Sequence, residues 1–175
     1  FTIDLADSLG RLRDGHIDFQ PIGMKAIEPV GLAAAPDGSV WFTDNAAHAI
    51  SRMAPSGEVT RIPLDTPSVR LGRLAAGANG SVWFAEETGY SISEIRDGAV
   101  VRHYYDSPRG GPYGVAVAPD GTAWASLQSG DQILRIGTDG TVKAYDLPNA
   151  ASVPSDVAVG PDGAVYFMDW QKPLI

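Results

Sequence analysis

The sequence predicts an all-β fold assembled from repeated four-strand units, and three observations carry that expectation. The motif Val30-Gly31-Leu32-Ala33-Ala34-Ala35-Pro36-Asp37-Gly38-Ser39-Val40-Trp41-Phe42 returns as Arg73–Phe84, as Gly114–Ala125 and as Asp156–Phe167. Its turn glycines Gly38, Gly80, Gly121 and Gly163 are spaced 42, 41 and 42 residues apart, a fixed period that marks stacked supersecondary units. Each period also holds four short segments, alternating or apolar, bounded by turn residues. Four strands in about 42 residues is the arithmetic of a β-propeller blade.

Taken in order, the first full repeat places strands at Gly31–Ala35, Ser39–Asp44, Ala49–Ala54 and Val59–Leu64. Pro36-Asp37-Gly38 pre-sets the first turn corner with Pro and puts Gly where φ must be positive, which closes a tight hairpin. Ser56-Gly57, Asp97-Gly98 and Asp139-Gly140 close a second hairpin at a common offset. The small residues of the first strand (Ala33 and Ala35, Ala75 and Gly77, Ala116 and Ala118, Ala158 and Gly160) suit the crowded position beside the axis. The column Trp41, Trp83, Trp124 and Tyr166 suits packing between blades, where each ring buries roughly 150–250 Å².

The ends fall in mid-blade. Phe1-Thr2 matches Phe42-Thr43 of a second strand, and Asp14-Gly15 matches the second hairpin, so the chain starts in an outer half blade. The expected organisation is one propeller domain or part of one: a half blade at 1–28, blades at 29–70, 71–111 and 112–153, and a half blade at 154–175. About four blades are then present, expected as a segment of a six- or seven-bladed ring; joining of the two halves into a four-bladed ring is the alternative. Open blade edges and faces lead to an expectation of self-association.

Composition narrows the function classes. Hydrophobic residues make up 44% and charged residues 19% of the 175 positions, the balance of a folded domain. A formal charge of -8 argues against nucleic acid and against an anionic membrane surface, both of which select a basic face. There is no cysteine, hence no disulfide framework, thiolate nucleophile or Cys-based zinc site. Nothing reads as a long apolar span or a signal segment, so a soluble chain is expected, with cytoplasm and secretion both open.

Propellers bind small molecules on one axial face, where the loop before the innermost strand meets the loop after the second. The first row of positions is Pro29-Val30-Gly31, Leu71-Gly72-Arg73, Pro112-Tyr113-Gly114 and Pro154-Ser155-Asp156. The second is Asp44-Asn45, Glu86-Glu87, Ser126-Leu127 and Asp169-Trp170. The candidate ligand-face residues are therefore Asp44, His48, Arg73, Glu86, Glu87, Tyr113, Ser155, Asp156, Asp169 and Trp170. Arg73 and Asp156 replace Gly, which offers a contact for an anion and a metal ligand or base respectively, or else two solvated loop charges. Asp44, Glu86 and Asp169 recur as an acidic position that would either converge on a hard cation or cap loop amides strand by strand. His48 is the one imidazole on that face and suits a general base. Tyr113 and Trp170 suit stacking on a ligand or rim packing. His16 and His103 fall on outermost strands and are expected to be solvated.

The repeat Gly111-Pro112-Tyr113-Gly114-Val115-Ala116-Val117-Ala118-Pro119-Asp120-Gly121, with Gln132-Ile133-Leu134-Arg135-Ile136 and Trp41-Phe42-Thr43-Asp44, resembles the streptogramin B lyase (virginiamycin B lyase) family over residues 1–170. That resemblance implies a seven-bladed propeller that opens a cyclic depsipeptide at its ester by elimination, with a His base and Mg²⁺. The family's catalytic His positions, the middle of a Pro-His-Gly/Ala loop, correspond here to Val30, Gly72, Tyr113 and Ser155, none of which is a base of that kind. Glu86 falls within a residue of a family glutamate. The resemblance thus places lyase chemistry in the parent protein, with catalytic blades outside this chain; a non-catalytic ligand- or protein-binding propeller is one alternative. Residues 154–175 are also similar to sugar dehydrogenase-like propellers, so a metal-dependent lactonase or sugar dehydrogenase relative is another.

Overall fold

The computed structural model describes residues 2–4, 8–24, 27–66, 69–104, 110–148 and 152–170. An N-terminal sheet orders β1 (Thr2–Asp4), β2 (Ser8–Arg13) and β3 (His16–Pro21). The first blade follows with β4 (Leu32–Ala34), β5 (Val40–Asp44), β6 (Ala49–Met53) and β7 (Val59–Pro63). The second is β8 (Leu71–Ala76), β9 (Val82–Glu86), β10 (Ser91–Arg96) and β11 (Ala99–Tyr104), with a 3₁₀ turn at Glu87–Gly89 after β9. The third is β12 (Pro112–Val117), β13 (Ala123–Leu127), β14 (Gln132–Ile136) and β15 (Val142–Asp146). A two-strand sheet of β16 (Pro154–Val159) and β17 (Val165–Asp169) completes the series. Every pairing is antiparallel between chain neighbours, as a partial propeller requires. The N-terminal and C-terminal sheets are separate, so the four-bladed closure is absent from the described residues. Phe1, matched above to a second strand, lies outside them.

The recurring Asp-Gly-Ser-Val-Trp motif has a physical reason beyond turn formation. Gly38 takes φ 80 and its amide donates to Ala35 O at 3.0 Å, while Ala35 N donates to Ser39 O at 2.9 Å. That is a type I turn closed by a positive-φ Gly, which only Gly adopts without strain. Asp37 Oδ1 accepts from the Ser39 amide at 2.9 Å and hydroxyl at 2.6 Å, and Ser39 Oγ in turn accepts the Trp41 indole N–H at 3.0 Å. The second blade repeats this through Asn79, Ser81 and Trp83. The turn thus satisfies the one polar atom of a buried ring.

Successive side chains of the second strand point into opposite seams. Trp41 packs forward with Leu71, Leu74 and Phe84 of the second blade, whereas Phe42 packs backward with Leu9 and Ile22. Trp83 likewise packs forward with Val115, Ala125 and Leu134 of the third blade. Trp124 is half-buried and Tyr166 is 61% exposed, because the forward seam thins to two strands and then ends. The ring column is therefore interior only where a blade follows it.

Inner strands approach closely enough to exclude side chains. A Cβ on Gly72 would lie 2.7 Å from the Tyr113 carbonyl oxygen, and one on Gly114 would lie 2.8 Å from Asp156 Cα. At these two positions Gly is a steric requirement. The ladder also slips between Leu71 and Leu74, Pro112 and Val115, and Pro154 and Asp156, so each of these inner strands carries an irregularity at its axial end. Such bulges re-aim side chains, and these fall at the candidate site.

Candidate functional site at the axial end

The two rows of loop positions lie side by side. Asn45 N donates to Glu28 O at 3.1 Å, Glu87 N to Arg70 O at 2.7 Å, Gln128 N to Gly111 O at 3.1 Å and Trp170 N to Val153 O at 3.2 Å. In the third blade this pairing shifts the second row to Leu127-Gln128 rather than Ser126-Leu127. Ser126 belongs one place earlier: its hydroxyl accepts the Gly114 amide at 2.9 Å, as Thr43 accepts those of Val30 and Gly31 at 2.9 and 2.8 Å.

Three candidates from three inner strands meet. Arg73 Nε lies 3.4 Å from Asp156 Oδ2, and its guanidinium carbon stands 5.8 Å from the centroid of the Tyr113 ring. Arg73 and Asp156 side chains remain 46% and 33% exposed, so the pair is reachable from solvent. Asp156 Oδ1 also accepts its neighbouring Val157 amide at 3.0 Å. Ser155 is buried beside them, and its hydroxyl has no hydrogen-bond partner. The result is an aromatic face beside a loosely held ion pair. It can stack on and hydrogen-bond a ligand.

The acidic row does something different. Asp44 is fully buried; Oδ1 accepts the Ala47 amide at 3.1 Å and Oδ2 takes Arg61 at 2.7 Å. Glu86, also fully buried, accepts from Arg102 Nε at 2.9 Å, Thr66 Oγ1 at 3.1 Å and the Ser93 hydroxyl. Asp169 Oδ1 accepts the Val153 amide at 2.8 Å. These carboxylates cap and pair locally in their own blades. Among the described residues no three His, Asp or Glu side chains are grouped so as to hold a metal ion. Among the described residues the Mg²⁺ implied by the family resemblance therefore has no matching donor set.

Arg61 and Arg102, not among the candidate residues, are what fix that row. A signal was present: the two arginines sit one repeat apart, and where Leu127 replaces the carboxylate in the third blade, Ala144 replaces the arginine.

His48 sits apart from the axial trio. It adopts a left-handed backbone with φ 49, and Nδ1 is buried without a partner. It borders a hollow of about 480 Å³ with Glu28, Pro29, Val30, Asn45, Val69 and Arg70. Glu87 pairs with Arg70 at 3.3 Å near that rim. Trp170 is 70% exposed. His16 is exposed, as expected, but His103 is not: it stacks on Trp83, with ring centroids 5.1 Å apart, inside a seam. Outer-strand position does not imply solvent where the next blade leans over it.

With this geometry in place, the comparisons are decisive on family. The profile described as Virginiamycin B lyase family matches residues 20–175. The chain belongs to that family. It is 33% identical to the virginiamycin B lyase of Nocardia farcinica over 166 residues, covering 95% of this chain and 57% of that protein. A catalytically inactive virginiamycin B lyase from Staphylococcus aureus with quinupristin superposes with a TM-score of 0.79 at 32% identity, over 83% of this chain and 50% of that one. The chain thus spans about half the length of the family relatives it matches. A gluconolactonase from Xanthomonas campestris, 21% identical with a TM-score of 0.70, shares the fold alone. No helix among the described residues is long and apolar enough to cross a membrane.

Proposed function

We propose that this chain supplies part of the ligand-recognition end of a streptogramin B lyase-like propeller, and that the bond-breaking groups belong to other blades of the whole protein. The supporting observation is the convergence of Arg73, Tyr113 and Asp156 from three different inner strands at the axis. An aromatic ring and a half-exposed ion pair suit a cyclic depsipeptide, whose side chains stack and whose carbonyls accept hydrogen bonds. The reaction read from the family is an elimination. A base removes a proton beside a carbonyl, the ester C–O bond breaks with its electron pair leaving on the carboxylate, and a C=C bond forms. None of Val30, Gly72, Tyr113 and Ser155, which stand at the family's His positions, serves as that base; the role assigned to this chain is to hold and orient the ring.

The test is quinupristin binding to the full chain, followed by ligand-detected NMR. Tyr113→Ala and Arg73→Ala are expected to weaken binding roughly tenfold each, on the scale of about 1.4 kcal/mol per contact, with Tyr113→Phe near wild type. Equal binding by all three variants would remove the assignment. Turnover, if the whole protein shows it, separates the chemistries by mass: elimination gives an isomer of the substrate, whereas ester hydrolysis adds one water.

A further inference from the structure

The second blade departs from its neighbours at one seam. In the first and third blades the residue opposite the ring of the second strand is arginine: Arg52 pairs in register with Trp41 and Arg135 with Trp124. Arg52 lies over the Trp41 ring at 5.8 Å and reaches Asp37 at 3.0 Å. Opposite Trp83 the residue is Glu94. Its side chain is 1% exposed; Arg96 Nη2 lies 2.6 Å from Oε2, and Oε1 has no hydrogen-bond partner. The same indole carries His103, stacked at 5.1 Å with 26° between planes. The imidazole Nε2 is buried without a partner, and the ring packs against the Gly140 turn of the third blade. An unsatisfied carboxylate oxygen and an unsatisfied imidazole nitrogen thus flank one buried tryptophan. Either would be costly in isolation.

We propose that Glu94, Trp83 and His103 form a proton-sensitive clasp in the seam between the second and third blades, and that its protonation state sets how Arg73 meets Tyr113. The second half follows from connectivity, since Arg73 stands on β8 of one blade and Tyr113 on β12 of the other.

The sign follows from the groups around the imidazole. Burial pushes His103 below its ordinary value and is the dominant influence. Glu94 and the Gly140 backbone pull it up, and Arg96 pushes it down. On the facing turn, Asp139 is engaged by the Thr141 amide and hydroxyl at 3.0 and 2.7 Å. The folded seam therefore favours neutral imidazole. As pH falls below the ordinary histidine value of 6.5, the unfolded chain binds a proton that the folded seam resists. Seam stability is complete above that value and declines as pH drops toward the lower folded one.

The test is a titration of the full chain from about pH 8 to pH 5 across the histidine range, read by tryptophan fluorescence and by amide NMR of Arg73 and Tyr113. Imidazolium against an indole quenches its emission, so wild type is expected to dim in acid, with the two amide signals moving on the same curve. His103→Phe keeps the stack and should flatten both curves; His103→Gln provides a second non-titrating side chain should the first fail to fold. Glu94→Gln should move the midpoint to lower pH, because the carboxylate no longer supports the imidazolium. A titration that survives in both His103 variants, that disappears in His48→Asn, or that leaves the Arg73 and Tyr113 amides unmoved would overturn the proposal.

Discussion

Arg73 reaches Asp156 past the third blade because Gly114, on the inner strand between theirs, has no side chain to intervene. The inner strands alternate glycine and charge at this level, Gly31, Arg73, Gly114 and Asp156, and each glycine lies against the backbone of the next charged residue. The contact across the axis is thus built as much by what two positions lack as by what the other two carry.

Gly114→Ala tests this directly. Its methyl would lie 2.8 Å from both Asp156 Cα and Ser126 Oγ, so the inner strands must part. A destabilisation of about 1–3 kcal/mol is expected from overpacking, measured as a shifted urea midpoint. The Arg73–Asp156 coupling in a double-mutant cycle should fall to zero in the same background.

Ser81→Ala removes the acceptor 3.2 Å from the Trp83 indole N–H. That ring is 1% exposed, so water does not replace the lost partner. A cost of about 1–3 kcal/mol is expected, and Ser81→Thr, which keeps the hydroxyl as Thr122 does in the third blade, should recover most of it. Equal losses in the two variants would mean that the hydroxyl contributes by shape alone.

Arg102 holds a carboxylate that has no water to fall back on. Arg102→Met should cost about 3–5 kcal/mol by leaving Glu86 charged and unpaired. Adding Glu86→Leu should recover much of that, giving the uncharged arrangement that Leu127 and Ala144 already form in the third blade. Chemical denaturation of both singles and the double decides it.

Asp37 gives the acid limb of stability. The Ser39 hydroxyl and amide, with Arg52 beyond them, hold its carboxyl at about 2, below its ordinary 3.8. Its contribution is therefore present above the ordinary value and is lost as pH falls toward about 2. Asp37→Asn should flatten that part of a stability-against-pH curve by lowering stability at neutral pH toward its acid value, while the turn itself still forms, as it does around Asn79 in the second blade.

The architecture was legible because repetition amplifies weak signals. A single Pro-Asp-Gly or Val-Trp-Phe proves little, but recurrence every 41 or 42 residues gave the strand order and the placement of the two loop rows together. The slip of one residue at Ser126 arose because the third blade lacks the acidic landmark that aligned the others. At the site, reading Arg73 and Asp156 against the glycine positions singled out both charges, since a departure from a repeat is itself information, but not that they face each other. The fate of Asp44 and Glu86 was harder to see. Whether carboxylates converge on an ion or turn toward separate arginines depends on outer-strand residues some 16 to 17 positions away. His103 was misjudged because strand number says where a residue hangs on its own blade and nothing about what the neighbouring blade lays over it.

The forward-facing tryptophans, and the phenylalanines that face backward in the first and second blades, give the seams a direction. At one extremity Tyr166 and Met168 stand uncovered; at the other Leu12, Ile17 and Phe19 do. These two surfaces differ, so copies associate by setting the forward surface of one against the backward surface of the next. Because successive blades rotate about one axis, such head-to-tail addition curves back on itself, and a two-fold axis along the hub joins both pairs of unlike surfaces at once. The isolated segment is therefore expected to associate as concentration rises and to plateau at a closed ring in sedimentation.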